Sequence, residues 1–187
     1  KAVLVNELVQ IHKIASSDMK NLSLIQTIAE TGKPVIISTA SSHYLEVQWV
    51  INQWRDISRA PICILDCVGA YPAETSTYHL QMLEQLHGHI DAVGVSDHTL
   101  SNVVALTSIG FGATVFEKHF DAFKGMGMGD VPDSCVAIST TEMKKYVEDI
   151  RLGFLATETM LRRPRRCEDD FQTMHRRRII ALKELKA

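Results

Sequence analysis

The sequence predicts an α/β fold built on a parallel sheet, and three observations predict it. Short β-branched runs alternate strictly with amphipathic helical stretches. The runs are apolar with little simple alternation, as strands covered on both faces read. Polar residues collect at the C-terminal ends of the runs, and the opposite ends carry no comparable cluster. In (β/α) barrels and open α/β sheets alike, that edge holds the active site.

Five strands are expected, at residues 9–15, 34–39 (PVIIST), 62–68 (ICILDCV), 92–98 (AVGVSDH) and 114–120 (TVFEKHF). Helices are expected at 22–30, 44–56, 77–86 and 100–109, with a longer one from 141 to about 161. Gly32, Gly88 and Gly110 stand near helix ends, where C-terminal caps favour glycine. Ser16 or Ser17, and Ser41 or Ser42, are candidate caps for the helices that follow them.

The chain has 187 residues, enough for one domain with a real core. Its 45% hydrophobic and 22% charged residues are ordinary for a globular protein. A net charge of -2 gives no pull toward nucleic acid or a membrane surface. No apolar run approaches the roughly 20 residues of a membrane span. Residues 1–8 lack the apolar region and cleavage site of a signal peptide. Cys63, Cys67, Cys135 and Cys167 form no C-x-x-C pair. They are expected to be buried free thiols in a reducing compartment, the cytoplasm, and their spacing suits no cysteine-based zinc site. Beyond Leu161, blocks of arginine flank the acidic step Glu168-Asp169-Asp170. That composition reads as a solvated linker. A nucleic-acid patch is the rival, but aromatic interleaving is absent apart from Phe171.

His98 and His119 carry the sharpest chemical signal. Residues two apart on a strand share a face, so Gly94, Ser96 and His98 point one way, as do Val115, Glu117 and His119. On neighbouring strands both imidazoles converge at the mouth. With carboxylate or water ligands they suit a borderline or hard divalent ion such as Mn2+, Zn2+ or Mg2+. The bland alternative is two partly buried histidines satisfied by hydrogen bonds. Lys13, Ser16, Ser38 and Ser96 offer one cation and three hydroxyls at the same edge, a cradle for phosphate or carboxylate unless the serines are simple caps. Asp18 and Glu117 are the mouth carboxylates, available as acid, base or water-orienting groups, or as ion-pair partners of Lys13 or Lys118. Tyr71 either walls a pocket or covers the rim. The loop Gly125-Met126-Gly127-Met128-Gly129-Asp130 is no dinucleotide fingerprint. It suggests a flap, a close backbone approach to a ligand, or plain flexibility.

Several stretches in order resemble the sialic acid (N-acetylneuraminate) synthase family, with its legionaminate and pseudaminate synthases. They are Lys13-Ile-Ala-Ser-Ser-Asp18, Gly32-Lys-Pro-Val-Ile-Ile-Ser-Thr39, Ala70-Tyr-Pro72, Val95-Ser-Asp-His-Thr-Leu100, Gly112-Ala-Thr-Val-Phe-Glu-Lys-His-Phe120 and Pro132-Asp-Ser134. The resemblance implies a (β/α)8 TIM-type barrel of which this chain supplies the last five strand–helix units. Residues 1–160 would be the C-terminal portion of the barrel, and 161–187 a linker toward an antifreeze-like domain. It implies condensation of phosphoenolpyruvate with an N-acylated amino sugar, of the N-acetylmannosamine type, with release of phosphate. On that basis His98 and His119 hold the metal, Lys13, Ser16, Ser38 and Ser96 hold phosphoenolpyruvate, Asp18 and His119 act at the reacting carbons, and Tyr71 lines the sugar site. An acidic loop residue contacts the sugar in the family. An ungapped count places it at Asp130, and the P-D-S motif, which we prefer, places it at Asp133. Gly69 departs from the family by lacking a side chain that helps hold phosphoenolpyruvate. The family pattern further implies a homodimer, with no nucleic-acid or membrane partner. Two rival readings stand beside it: a truncated inactive homologue that binds sugar or a partner, and another metal-dependent barrel aldolase or synthase.

Overall fold

The β-branched runs become one parallel sheet in the computed structural model, which describes residues 2–125, 132–157, 163–175, 177 and 180–183. In residues 1–157 the order is α1 (Ala2–Val5), β1 (His12–Ile14), α2 (Leu22–Ala29), β2 (Val35–Ser38), α3 (Tyr44–Ile57), β3 (Ile62–Cys67), α4 (Gln81–Leu86), β4 (Ala92–Asp97), α5 (Val103–Ile109), β5 (Val115–Lys118) and α6 (Thr140–Thr157). The five strands pair in sequence order, β1-β2-β3-β4-β5, and every pair is parallel.

Register divides the strand residues into two faces. Ile14, Val35, Ile37, Ile62, Ile64, Val93 and Val95 face the helices and are buried in the core with Ile25, Val47, Val50, Trp54, Leu83, Val104 and Ile150. The other face carries Lys13, Ser38, Cys63, Leu65, Cys67, Gly94, Ser96 and Glu117. That second face is concave. A flat sheet would separate β1 from β5 by about 19 Å, four strand spacings of about 4.8 Å. Yet Lys13 Nζ on β1 lies 3.3 Å from Glu117 Oε2 on β5. The sheet therefore curls into a half-barrel, with the lysine and the glutamate meeting across its hollow.

Gly94 permits the close approach of β4 to β5. A Cβ there would sit 1.9 Å from the Val115 carbonyl oxygen and 2.9 Å from Leu65 Cδ2. Backbone cannot yield as a flexible side chain does, so Gly94→Ala is expected to destabilise the chain by about 3 kcal/mol, the upper end of overpacking. The urea unfolding midpoint measures it, and a wild-type midpoint would contradict the packing described.

Several expectations need correction. The first strand is only His12–Ile14: a 3-10 turn occupies Asn6–Leu8, and the Lys33 ammonium takes the Val9 carbonyl, which a longer strand would offer to a neighbour. The expected helix 77–86 begins only at Gln81. Tyr78 is extended and its hydroxyl is bonded to β4, while the His79 amide donates to Asp66 Oδ2, so tertiary bonds hold this segment out of the helix. After α5 the left-handed turn falls on Gly112 (φ 90°) and not on Gly110, which is helical. The serines are not the caps. Asn21 caps α2 through Leu24 N, and Glu46 reaches back to the His43 amide at the start of α3. Cys63 and Cys67 are buried free thiols, but Cys135 and Cys167 are exposed.

Residues 158–187 form a second unit. Its described part holds a 3-10 turn at Arg166–Glu168 and the helix α7 (Asp169–His175), neither with a buried residue. Aspartates in the first turn of α7 and His175 in its last suit the helix dipole. The charge blocks thus shape a short exposed helix where a plain linker was expected. Among the described residues, no helix is long and apolar enough to cross a membrane.

Candidate active site

The mouth of the half-barrel gathers residues from all five strands. Lys13 Nζ donates to Ser38 Oγ at 2.8 Å and pairs with Glu117. Ser96 Oγ donates its proton to Glu117 Oε1 at 2.6 Å. One carboxylate on β5 thus joins a cation on β1 to a hydroxyl on β4. On β3, burial raises the Cys67 thiol above its ordinary pKa, so it stays protonated beside Ser16 and Ser96. Burial pushes the Cys63 thiol up to about 12, so it stays protonated beneath the lysine. Ser16 Oγ also accepts from the Ala40 amide at 3.0 Å, tying the end of β1 to the end of β2.

The two histidines each stand one residue beyond a strand end, His98 after β4 and His119 after β5. Their ring centroids are 5.1 Å apart. Tyr71 stacks on His98 at 4.3 Å and meets His119 edge-on at 5.6 Å. His98 Nδ1 lies 2.7 Å from the Val68 carbonyl oxygen. A carbonyl only accepts, so Nδ1 carries the proton and Nε2 keeps its lone pair. The nearest hydroxyl to Nε2 is Ser96 Oγ at 3.4 Å, and its one proton is committed to Glu117. Burial, the largest cause, lowers the His98 pKa from the ordinary 6.5, which keeps the ring neutral at pH 7. A neutral imidazole with an uncommitted Nε2 is the form that ligates a metal. The donors therefore suit two positions of a divalent ion. Among the described residues no group of three His, Cys, Asp or Glu could hold one, so an ion held by this pair would need other ligands.

Asp133, the residue preferred from the P-D-S motif, has Oδ2 3.8 Å from His119 Nδ1 and a left-handed backbone (φ 62°). Asp130 and the rest of the glycine loop after Gly125 lie outside the described residues. Asp18 sits on the exposed 3-10 turn after β1, and among the described residues its carboxylate joins none of these networks. At Gly69 a Cβ would meet only Ala40 and Ser41 Oγ, each at 3.6 Å, an ordinary contact. Space exists there for a side chain that this chain lacks.

Glu117 is the hub of the polar network: it takes the Lys13 ion pair, one of the roles the sequence left open to it, and accepts from Ser96. One cluster escaped sequence reasoning. Behind the site, Lys118 Nζ lies 3.3 Å from Asp97 Oδ2 and donates to the Thr99 carbonyl, while Asp97 Oδ1 accepts from the Thr99 amide and hydroxyl. This buried cluster fastens the turn that follows β4 to the end of β5, and no pattern in the sequence marked it.

A model of the NeuB family matches residues 1–160. The chain belongs to the NeuB family. A pseudaminic acid synthase from Helicobacter pylori is 34% identical over 147 residues, which are 78% of this chain and 42% of that protein. An N,N'-diacetyllegionaminic acid synthase from Campylobacter jejuni is 29% identical over 98% of this chain and 55% of its own length. The crystal structure of an N-acetylneuraminic acid synthetase from Leptospira borgpetersenii superposes with a TM-score of 0.77 at 24% identity, over 91% of this chain and 60% of that one, and shares its fold. The five parallel strands are thus part of a TIM-type barrel. This NeuB family chain spans about half the length of the relatives it matches.

Proposed function

We propose that this chain is the C-terminal barrel portion of a nonulosonate synthase, which condenses phosphoenolpyruvate with an N-acylated amino sugar and releases phosphate. Relatives named as pseudaminic and legionaminic acid synthases support the class of product. The observation that carries the reading is the meeting of Lys13, Ser38, Ser96 and Glu117 beside the paired imidazoles of His98 and His119. An ammonium flanked by hydroxyls suits the anionic groups of phosphoenolpyruvate. Lys13, Ser16, Ser38 and Ser96 would hold it, with Glu117 fixing the lysine and Ser96. His98 and His119 would hold a divalent ion, Mn2+ foremost, which polarises the sugar aldehyde when bound.

The enol carbon of phosphoenolpyruvate attacks the aldehyde carbon, water adds to the cationic carbon left behind, and phosphate departs from it. Tyr71 would wall the sugar site, and Asp133 would contact sugar hydroxyls beside His119. Asp18 would act near the reacting carbons once substrate bridges the gap to it. A homodimer in the cytoplasm completes the proposal, and the free thiols suit that compartment.

Phosphate release tests the reading. The intact native protein, supplied with phosphoenolpyruvate, Mn2+ and a panel of N-acylated amino sugars, is expected to release phosphate only when both substrates are present. The 187-residue chain alone is expected to release little, since its relatives are about twice as long. No release by the intact protein with any sugar would favour a homologue that binds without turnover.

A further inference from the structure

We infer that Tyr78 is the positioning residue for His98, fixing its backbone and freeing a carbonyl to decide which ring nitrogen faces the site; this rests on the metal-holding role proposed for His98. The last paired residues of β3 and β4 are Cys67 and Ser96. In a parallel ladder one residue bonds, through its N–H and C=O, to a carbonyl and an amide two residues apart on the neighbour. Continued by one step, the ladder would use Val68 to satisfy the Ser96 carbonyl and the His98 amide.

The chain does something else. Tyr78 Oη donates to the Ser96 carbonyl at 2.9 Å and accepts from the His98 amide at 2.8 Å. A single hydroxyl, donor and acceptor at once, replaces both backbone groups of the missing residue. Val68 leaves the ladder, and its carbonyl accepts from His98 Nδ1 at 2.7 Å. The Ala73 amide then donates to the His98 carbonyl at 3.0 Å. Backbone and ring of His98 are therefore held from one segment, residues 68–78. The consequence is chemical: with Nδ1 committed to Val68, only Nε2 faces His119 and Ser96. Without the Tyr78 hydroxyl, the Ser96 carbonyl and His98 amide lose their partner, and Val68 is the group placed to return to them. Its carbonyl would then no longer select the ring tautomer.

The test uses the intact native protein labelled with 15N-histidine, at about pH 8, where neutral imidazole dominates. The His98 ring signals are assigned by their loss in His98→Asn. The native protein is expected to show the Nδ1–H tautomer. Tyr78→Phe is expected to mix the two tautomers and weaken Mn2+ binding about 10- to 100-fold, as loss of a group supporting a metal ligand does. Tyr146→Phe is the control, because it also deletes a buried phenol hydroxyl, one without a hydrogen-bond partner among the described residues, and should change neither signal. A native tautomer and native Mn2+ affinity in Tyr78→Phe would overturn the inference, as would equal effects from Tyr146→Phe. Should the native protein bind no Mn2+, the functional reading fails, and the tautomer signal alone decides whether Tyr78 positions His98.

Discussion

Asp97→Asn is expected to destabilise the protein by about 3–5 kcal/mol, the usual loss when one partner of a buried ion pair is removed. The side chains of Lys118 and Asp97 are 2% and 0% exposed. Burial, the largest cause, already lowers the Lys118 pKa, and the Asp97 carboxylate is what offsets that penalty. Without it, the ammonium keeps the Thr99 carbonyl and the face of the Tyr146 ring 5.9 Å away, neither of which carries a charge. The neutral amide that Asp97→Asn introduces would also hold the Thr99 backbone N–H and hydroxyl less strongly than a carboxylate does. Lys118→Met should be milder, because Asp97 Oδ1 retains both bonds from Thr99. The two changes share a partner and should not add, so the double variant is expected to recover part of the loss from Asp97→Asn. Urea unfolding midpoints of the three variants measure this. Losses that simply add would contradict a direct Asp97–Lys118 coupling.

Lys13→Met is expected to raise the KM for phosphoenolpyruvate in the intact native protein about 10- to 100-fold, the value of one lost charge-assisted hydrogen-bond donor. The lysine is the cation that bridges Ser38 and Glu117, so its removal also leaves the Glu117 carboxylate unneutralised beside an anionic substrate. That repulsion should lower kcat as well. Glu117→Gln removes the repulsion and the ion pair together, and should spare the KM more than Lys13→Met does. Steady-state phosphate release at varied phosphoenolpyruvate reads both constants. An unchanged KM in Lys13→Met would remove the lysine from the anion site.

The strands were legible because parallel strands buried on one side by helices leave β-branched runs, and the five observed strands fall inside the five expected ones. The site edge was legible for the same reason: alternation sets Ser38, Ser96 and Glu117 on one face at the ends of those runs, while Asp97 and Lys118 turn the other way. The meeting of β1 and β5 was legible only as one option, Glu117 pairing with Lys13 or with Lys118, since nothing local in Lys13 or Glu117 encodes the curl of the sheet between them. Tyr78 was illegible in another way. Its amphipathic surroundings match a helix, and only the unsatisfied backbone at the end of β4 draws it into the ladder. The resemblance was strongest where the backbone is most constrained, at the S-D-H-T and E-K-H-F segments. There a buried ion pair, a serine–glutamate bond and two imidazoles share the ends of two adjacent strands.

The central claim is that His98 and His119 hold a divalent ion beside the Lys13–Glu117 network. Anomalous diffraction from crystals of the intact native protein soaked in Mn2+ tests it most directly. A peak is expected within coordination distance of Nε2 of His98 and of a ring nitrogen of His119. Well-ordered histidines with no peak between them would contradict the claim.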